Sequence, residues 1–191
     1  MRNIILVVHI SLDGFVAGPK GELDKFPSAE ENLAFVVDLT HGADAALFGK
    51  NSYLLLNAYW PTARNHPGAT KPEVEYSNWY NEAQKIVVSA TLPQPEAANT
   101  TVIRENVASA VAAIKKQPGR AILIFGSPTL SQTLIEADLI DEFWIFINPV
   151  LFGSGIPLFT TMARHLNLKL QHTKSFTNGE LAMHYVKKPI P

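Results

Sequence analysis

With 191 residues, 47 % of them hydrophobic and 17 % charged, the chain can bury a substantial core without disulfides or a structural metal. A formal net charge of −1 gives no electrostatic reason to expect nucleic acid or an anionic membrane as partner, so specificity has to come from local sites. The absence of cysteine excludes disulfides, thiol nucleophiles and zinc centres built on thiolates, and it fits a reducing, cytoplasmic compartment.

The apolar run over residues 3–10 follows a charge at Arg2, which superficially resembles a secretory leader. It is too short for one and breaks at His9, Ser11 and Asp13, so it is predicted to be a buried first strand. No window approaches a membrane span. Ser11-Leu12-Asp13-Gly14 and Gly18-Pro19-Lys20-Gly21 are rich in turn formers and bound a loop. Beyond it Ala29, Leu33, Val36, Val37 and Thr40 recur at helical spacing, with Ser28 as N-cap and Glu31 completing a capping box. Residues 45–48 read as a second strand, and Gly49-Lys50-Asn51-Ser52 opens a helix ending near Leu56.

Residues 57–70, with Tyr59, Trp60, Pro61, Pro67 and Gly68, read as an irregular surface loop, followed by a short helix over 72–83. Residues 85–89 and 100–104 are predicted strands joined by the Pro93-Gln94-Pro95 turn. Asn106 is expected to cap a helix with Val107, Val111 and Ile114 on one face, ended by Pro118-Gly119. Residues 121–125 then form a strand covered on both faces, and Gly126-Ser127-Pro128-Thr129 supplies a turn and a helix entry. After a helix over 129–137 come a strand over 141–147 and a hairpin, 166–176 with 181–187, turned by Asn178-Gly179. Strands alternating with helices, then strands alone, describe a single α/β domain over 1–191. Its central sheet is mostly parallel, flanked by helices and finished by an antiparallel C-terminal hairpin.

Four segments carry a resemblance: Ser11-Leu12-Asp13-Gly14-Phe15-Val16-Ala17, Phe48-Gly49-Lys50-Asn51-Ser52-Tyr53, Ile124-Phe125-Gly126-Ser127-Pro128-Thr129-Leu130 and Phe152-Gly153-Ser154-Gly155-Ile156-Pro157-Leu158-Phe159. In this order, over nearly the whole chain, they resemble the dihydrofolate-reductase-like superfamily. The nearest branch is the C-terminal reductase domain of bacterial riboflavin biosynthesis, here as a stand-alone form. The resemblance implies an eight-stranded sheet with NADPH across the carboxyl ends of the central strands, which is also where open α/β sheets bind ligands.

Carried over by position, Gly49, Lys50, Asn51 and Ser52 match the helix start that holds the 2′-phosphate. Ser89, Ala90 and Thr91 match the strand end beside adenine and ribose, Arg104 matches a basic residue near the same phosphate, and Ala17 is expected beside the cofactor. Lys50 with Arg104 favours NADP over NAD. Phe125, Gly126, Ser127, Pro128, Thr129 and Leu130 match the pyrophosphate loop, with phosphate contacts expected at Ser127, Thr129 and Leu130. Taken singly, Gly49 and Gly126 are equally turn glycines, Lys50 a solvated charge and Ser52 a helix-start hydroxyl; the functional reading rests on the joint match.

On the substrate side the resemblance places Asn32 where dihydrofolate reductases carry a carboxylate. An amide binds a pyrimidine-like ring but supplies no proton at neutral pH, which disfavours folate reduction. Asp13 and Asn32 are the catalytic candidates, and Val8, Asp13, Asn32, Gly153, Ser154 and Gly155 the substrate-binding ones. Asp13 also reads as a turn residue, and 153–155 as a tight turn. The six histidines show no metal-ligand spacing, so no metal site is predicted, and His9 is expected to be a satisfied core residue. Phe143-Trp144-Ile145-Phe146 suits either a core strand or the seam of a homodimer, the state common in similar proteins. The expected activity is NADPH-dependent reduction of a small heterocyclic or ribosylamino-pyrimidine-like substrate, such as a 5-amino-6-(5-phosphoribosylamino)uracil reductase performs. The alternative is a non-catalytic NADP(H)-binding homodimer.

Overall fold

The computed structural model describes residues 1–27, 29–161, 163 and 165–188. The first half of the chain forms β1 (Ile4–Ser11), β2 (Phe15–Ala17), α1 (Glu30–Thr40), β3 (Ala43–Gly49), α2 (Lys50–Asn57), α3 (Trp60–Ala63), α4 (Lys71–Glu82) and β4 (Gln84–Val88). The second half forms β5 (Thr100–Ile103), α5 (Val107–Lys115), β6 (Ala121–Phe125), α6 (Pro128–Glu136), β7 (Glu142–Asn148), β8 (Ile156–Pro157), β9 (Leu168–Ser175) and β10 (Leu181–Lys187).

Eight strands make one sheet in the order β5-β4-β3-β6-β1-β7-β10-β9. The six from β5 to β7 are parallel, while β10 runs antiparallel to β7 and β9 antiparallel to β10. Side chains alternate between the two faces, so each central strand feeds two cores. Ile4, Leu6 and Val8 of β1 join Ile122, Ile124, Phe143 and Ile145 under α5 and α6. Val7 joins Phe48, Leu123, Trp144 and Phe146 under α1, α2, α3 and α4, which contribute Val36, Tyr53, Trp60, Tyr76 and Tyr80.

The chain leaves β1 through α1 to reach β3, beyond β6, and leaves β6 through α6 to reach β7, beyond β1. Connections that diverge on either side of one strand pair open a crevice at its carboxyl end. The β1–β6 pair is therefore the floor of the candidate site.

Several local expectations change. The expected cap Ser28 lies outside the described residues; Ala29 occupies the N-cap position of α1 without a side-chain bond, and Glu31 instead accepts from Thr177 N–H and Oγ1. Asn106 stands at the start of α5 with φ at 52° and no capping bond, so its left-handed backbone rather than its side chain turns the chain there. The segment 57–70 holds the one-turn helix α3, and Thr70 with Glu73 closes a capping box on α4. A small antiparallel ribbon pairs β2 with β8, elements too short to show any periodicity in sequence. The aromatic run of β7 lies between β1 and β10, with Phe143 and Phe146 buried, so it is core and offers no free edge. Among the described residues no helix is long and apolar enough to cross a membrane.

Candidate active site

One half of the crevice is organised by Ser127. Gly126 (φ 60°) and Ser127 (φ 52°) are consecutive left-handed residues that turn β6 into α6, an arrangement easy for glycine and uncommon for serine. The buried Ser127 hydroxyl does not cap its own helix. It accepts from Gly49 N–H at 2.9 Å and donates to Ser52 Oγ at 2.8 Å, tying the start of α2 to the start of α6. Neither helix has a side-chain cap, so the first-turn amides, including those of Asn51, Ser52, Thr129 and Leu130, have no capping partner among the described residues. Two uncapped helix starts side by side at the carboxyl ends of β3 and β6 suit an anion. A Cβ on Gly49 would stand 3.3 Å from Ser127 Oγ and crowd this junction.

The residues of the expected basic corner lie close together. Lys50 Nζ donates to Thr91 Oγ1 at 2.9 Å, and the exposed Arg104 donates to Ala90 O at 3.4 Å. Ser89 Oγ accepts from the N–H groups of Thr91 and Leu92, fixing the turn after β4. Lys50, Ser89, Ala90, Thr91 and Arg104 thus share one rim next to Gly49 and Ser52. The Phe125 ring packs among Phe48, Tyr76 and Trp79, so its contribution to the crevice is its backbone. Pro128 is the first residue of α6, and Leu130 turns its side chain into the core.

The other half contains a carboxylate that the sequence did not single out. Glu180, at the end of the hairpin turn before β10, is 1 % exposed. It accepts from Asn32 Nδ2 at 2.5 Å, and its other oxygen is hydrogen-bonded with His9 Nδ1 at 2.7 Å. The Asn178 side chain and the Phe176 N–H hold its backbone, which fixes the approach of the carboxylate. His9 stacks on Phe146 at 4.6 Å with ring planes 20° apart, and Phe26 stands 6.5 Å away. Its side chain is 37 % exposed. His9 is therefore a bridge between a buried anion and the crevice, which corrects its expected role as a satisfied core residue. Val8 is also corrected: it is 2 % exposed and packs under α5 and α6, on the face opposite Asn32, because successive strand residues alternate. The signal that marks Glu180 in sequence is the alternation Glu180, Ala182, His184, which puts an acid just before β10 in register with its inward residues.

Asp13 is fully committed to the protein. Its Oδ1 accepts from Ser11 Oγ at 2.6 Å and from Phe152 N–H at 3.1 Å, and its Oδ2 from Gly153 N–H at 2.7 Å. The Ser11 hydroxyl first, and then the Gly153 and Phe152 amides, hold its carboxyl below the usual carboxylate range. Asp13 fastens the 152–155 loop to the end of β1. Ser154 is exposed on that loop, while a Cβ on Gly155 would lie 2.3 Å from Ala17 O, so the β2–β8 ribbon closes only over glycine. Ala17, the last residue of β2, is itself buried. Phe152 packs on Phe26 at 4.9 Å, which roofs the crevice near His9. Among the described residues no group of three or more His, Asp or Glu side chains is arranged to hold a metal ion.

The model of the RibD C-terminal domain matches residues 2–182. The chain belongs to the RibD C-terminal domain family. Among curated proteins, this RibD C-terminal domain is 33 % identical over 187 residues to the uncharacterized protein YyaP of Bacillus subtilis, covering 96 % of this chain and 94 % of that one. It is 28 % identical to YwjB of the same organism, covering 97 % and 98 %. Among solved structures, a putative riboflavin biosynthesis protein from Shewanella sp. PV-4 superposes with a TM-score of 0.74 at 21 % identity, covering 98 % of this chain and 99 % of that one. The diaminohydroxyphosphoribosylaminopyrimidine deaminase/5-amino-6-(5-phosphoribosylamino)uracil reductase of Thermotoga maritima gives a TM-score of 0.69 at 14 % identity, covering 98 % of this chain and 57 % of that longer one. These similarities establish the RibD-like fold.

Proposed function

We propose that the chain is an NADPH-dependent reductase, acting as one domain, whose substrate is a small heterocycle of the ribosylamino-pyrimidine type. The observation that carries this reading is the Gly49–Ser127–Ser52 junction, which joins two uncapped helix starts at the carboxyl ends of β3 and β6. In this reading the amides of Thr129 and Leu130 and the Gly126-Ser127 turn hold the pyrophosphate. Lys50 and Arg104 receive the 2′-phosphate, a dianion that needs cationic partners. The bound cofactor supplies the hydride, so the protein needs to provide proximity, orientation and a proton.

The substrate half supports a substrate other than a folate. The Glu180 carboxylate has both oxygens engaged by His9 and Asn32 and is buried, so it is withdrawn from direct contact with a pterin.

Calorimetric titration with NADPH and NADH, followed by cofactor oxidation with 5-amino-6-(5-phosphoribosylamino)uracil, tests the reading. It expects NADPH to bind more tightly than NADH and to be oxidised when the pyrimidine is added. Failure to bind NADPH overturns the proposal; tight binding without oxidation across pyrimidine, pterin and carbonyl substrates replaces it with a nucleotide-binding protein.

A further inference from the structure

Glu180 is a buried carboxylate with no lysine or arginine partner among the described residues. A buried anion is stable only if its oxygens receive good hydrogen bonds and its charge is compensated nearby. Each oxygen has one donor, the Asn32 amide or the His9 imidazole. An amide holds its protons permanently, so the mobile proton of this cluster belongs to His9. A carboxylate only accepts, so Nδ1 carries hydrogen, and Nε2 is left without a partner among the described residues on a side chain 37 % exposed. Stacking on Phe146 fixes the plane of the ring.

We propose that His9 is the proton donor of the reduction and that Glu180, held in place by Asn32, is the residue that positions it and sets its tautomer. This rests on the reductase reading above. The other charged groups around the pair are engaged elsewhere. Glu31 of α1 is bound by Thr177 and faces Lys174, Lys174 of β9 lies over the rings of Phe35 and Phe176, and Lys25 lies over Phe152. From β7 come Phe146 and the neutral Asn148, whose buried Oδ1 has no partner among the described residues. In the reaction a carbon of a C=N or C=O bond accepts the hydride, and the π pair moves to the nitrogen or oxygen. That atom takes the proton from His9 Nε2 as the Nε2–H bond breaks. The imidazolium becomes neutral imidazole, keeps its Nδ1–H on Glu180, and regains a proton from water.

Two measurements test the proposal. Long-range ¹H–¹⁵N correlation spectra of the uncomplexed protein report which ring nitrogen carries hydrogen in each neutral histidine. His9 is expected to carry it on Nδ1, opposite to an unpartnered side chain, and Glu180→Gln is expected to abolish that preference while His41 and His66 stay unchanged. In NADPH oxidation with 5-amino-6-(5-phosphoribosylamino)uracil, His9→Gln should lower kcat roughly 100-fold or more. It should also erase the alkaline fall of kcat/KM, with NADPH affinity by calorimetry unchanged. Glu180→Gln should lower kcat less and move that alkaline limb. An Nε2–H tautomer in the parent protein overturns the proposal, as does a His9→Gln variant with parental kcat and pH profile, or NADPH binding without turnover. Loss of NADPH binding by the parent protein instead overturns the cofactor assignment.

Discussion

The two halves of the crevice are built by different means. On the proposed cofactor side each element is local: a strand ends, a turn follows, and a helix begins within a few residues, at Gly49 to Ser52 and again at Gly126 to Thr129. The substrate side is assembled from segments that meet only in the finished fold, with His9 and Glu180 171 residues apart and Asn32 and Glu180 148 apart. Phosphates are recognised by backbone amides, which every helix start provides. A directed proton needs particular side chains in one geometry, and the sheet order supplies it by bringing β1, β7 and β10 together.

This contrast can be broken by substitutions that strike one half alone. The largest effect is expected for Gly155→Ala, because the new Cβ would meet the Ala17 carbonyl at 2.3 Å. Overpacking of this kind costs about 1–3 kcal/mol. Thermal unfolding should fall by roughly 2–4 °C per kcal/mol for a chain of this size. Turnover should drop while NADPH affinity holds; equal loss of both would mean that the halves are not separable. Next comes Ser127→Ala, which leaves Gly49 N–H and Ser52 Oγ without their partner at the cost of about 1–3 kcal/mol for an unpaired buried donor. Denaturant unfolding and NADPH titration should both register it, and the His9 tautomer should not.

Smaller still, Lys50→Ala should weaken NADPH about tenfold, about 1.4 kcal/mol, and leave NADH unchanged by calorimetry. The smallest is the pH response of Asp13. Its folded-state carboxyl is held below the ordinary value of 3.8, so its contribution is present above that value and is lost as pH falls through the depressed one. Amide exchange at Phe152 and Gly153 should quicken on that acid side, after correction for intrinsic rates, and Asp13→Asn should quicken it at every pH. The residue is exposed, so global unfolding should hardly change.

How legible each half was follows from the same contrast. The strand at 121–125 is bounded in the structure as its apolar run predicts, and the Gly49 and Gly126 turns lead into helices as the glycine and helix-start signals imply. Asn32 was legible as an amide in place of a carboxylate. The acid that joins it was not, since nothing near Asn32 in sequence points to a hairpin 148 residues away. His9 and Val8 were exchanged for a related reason: a continuous apolar strand gives little sign of which face a given residue takes. Ser127 was read as a phosphate contact; that its hydroxyl also joins two helices is visible only once Gly49 is beside it.

The place of Glu180 also orders events in time. β10 is made after every other strand of the sheet, yet it inserts between β7 and β9. A growing chain that has completed β7 contains all of the proposed nucleotide cradle and His9, but not the carboxylate beside the imidazole. Under the proposed assignments the His9–Glu180 pair is therefore completed only when the hairpin docks, after every element of the proposed cradle has been made.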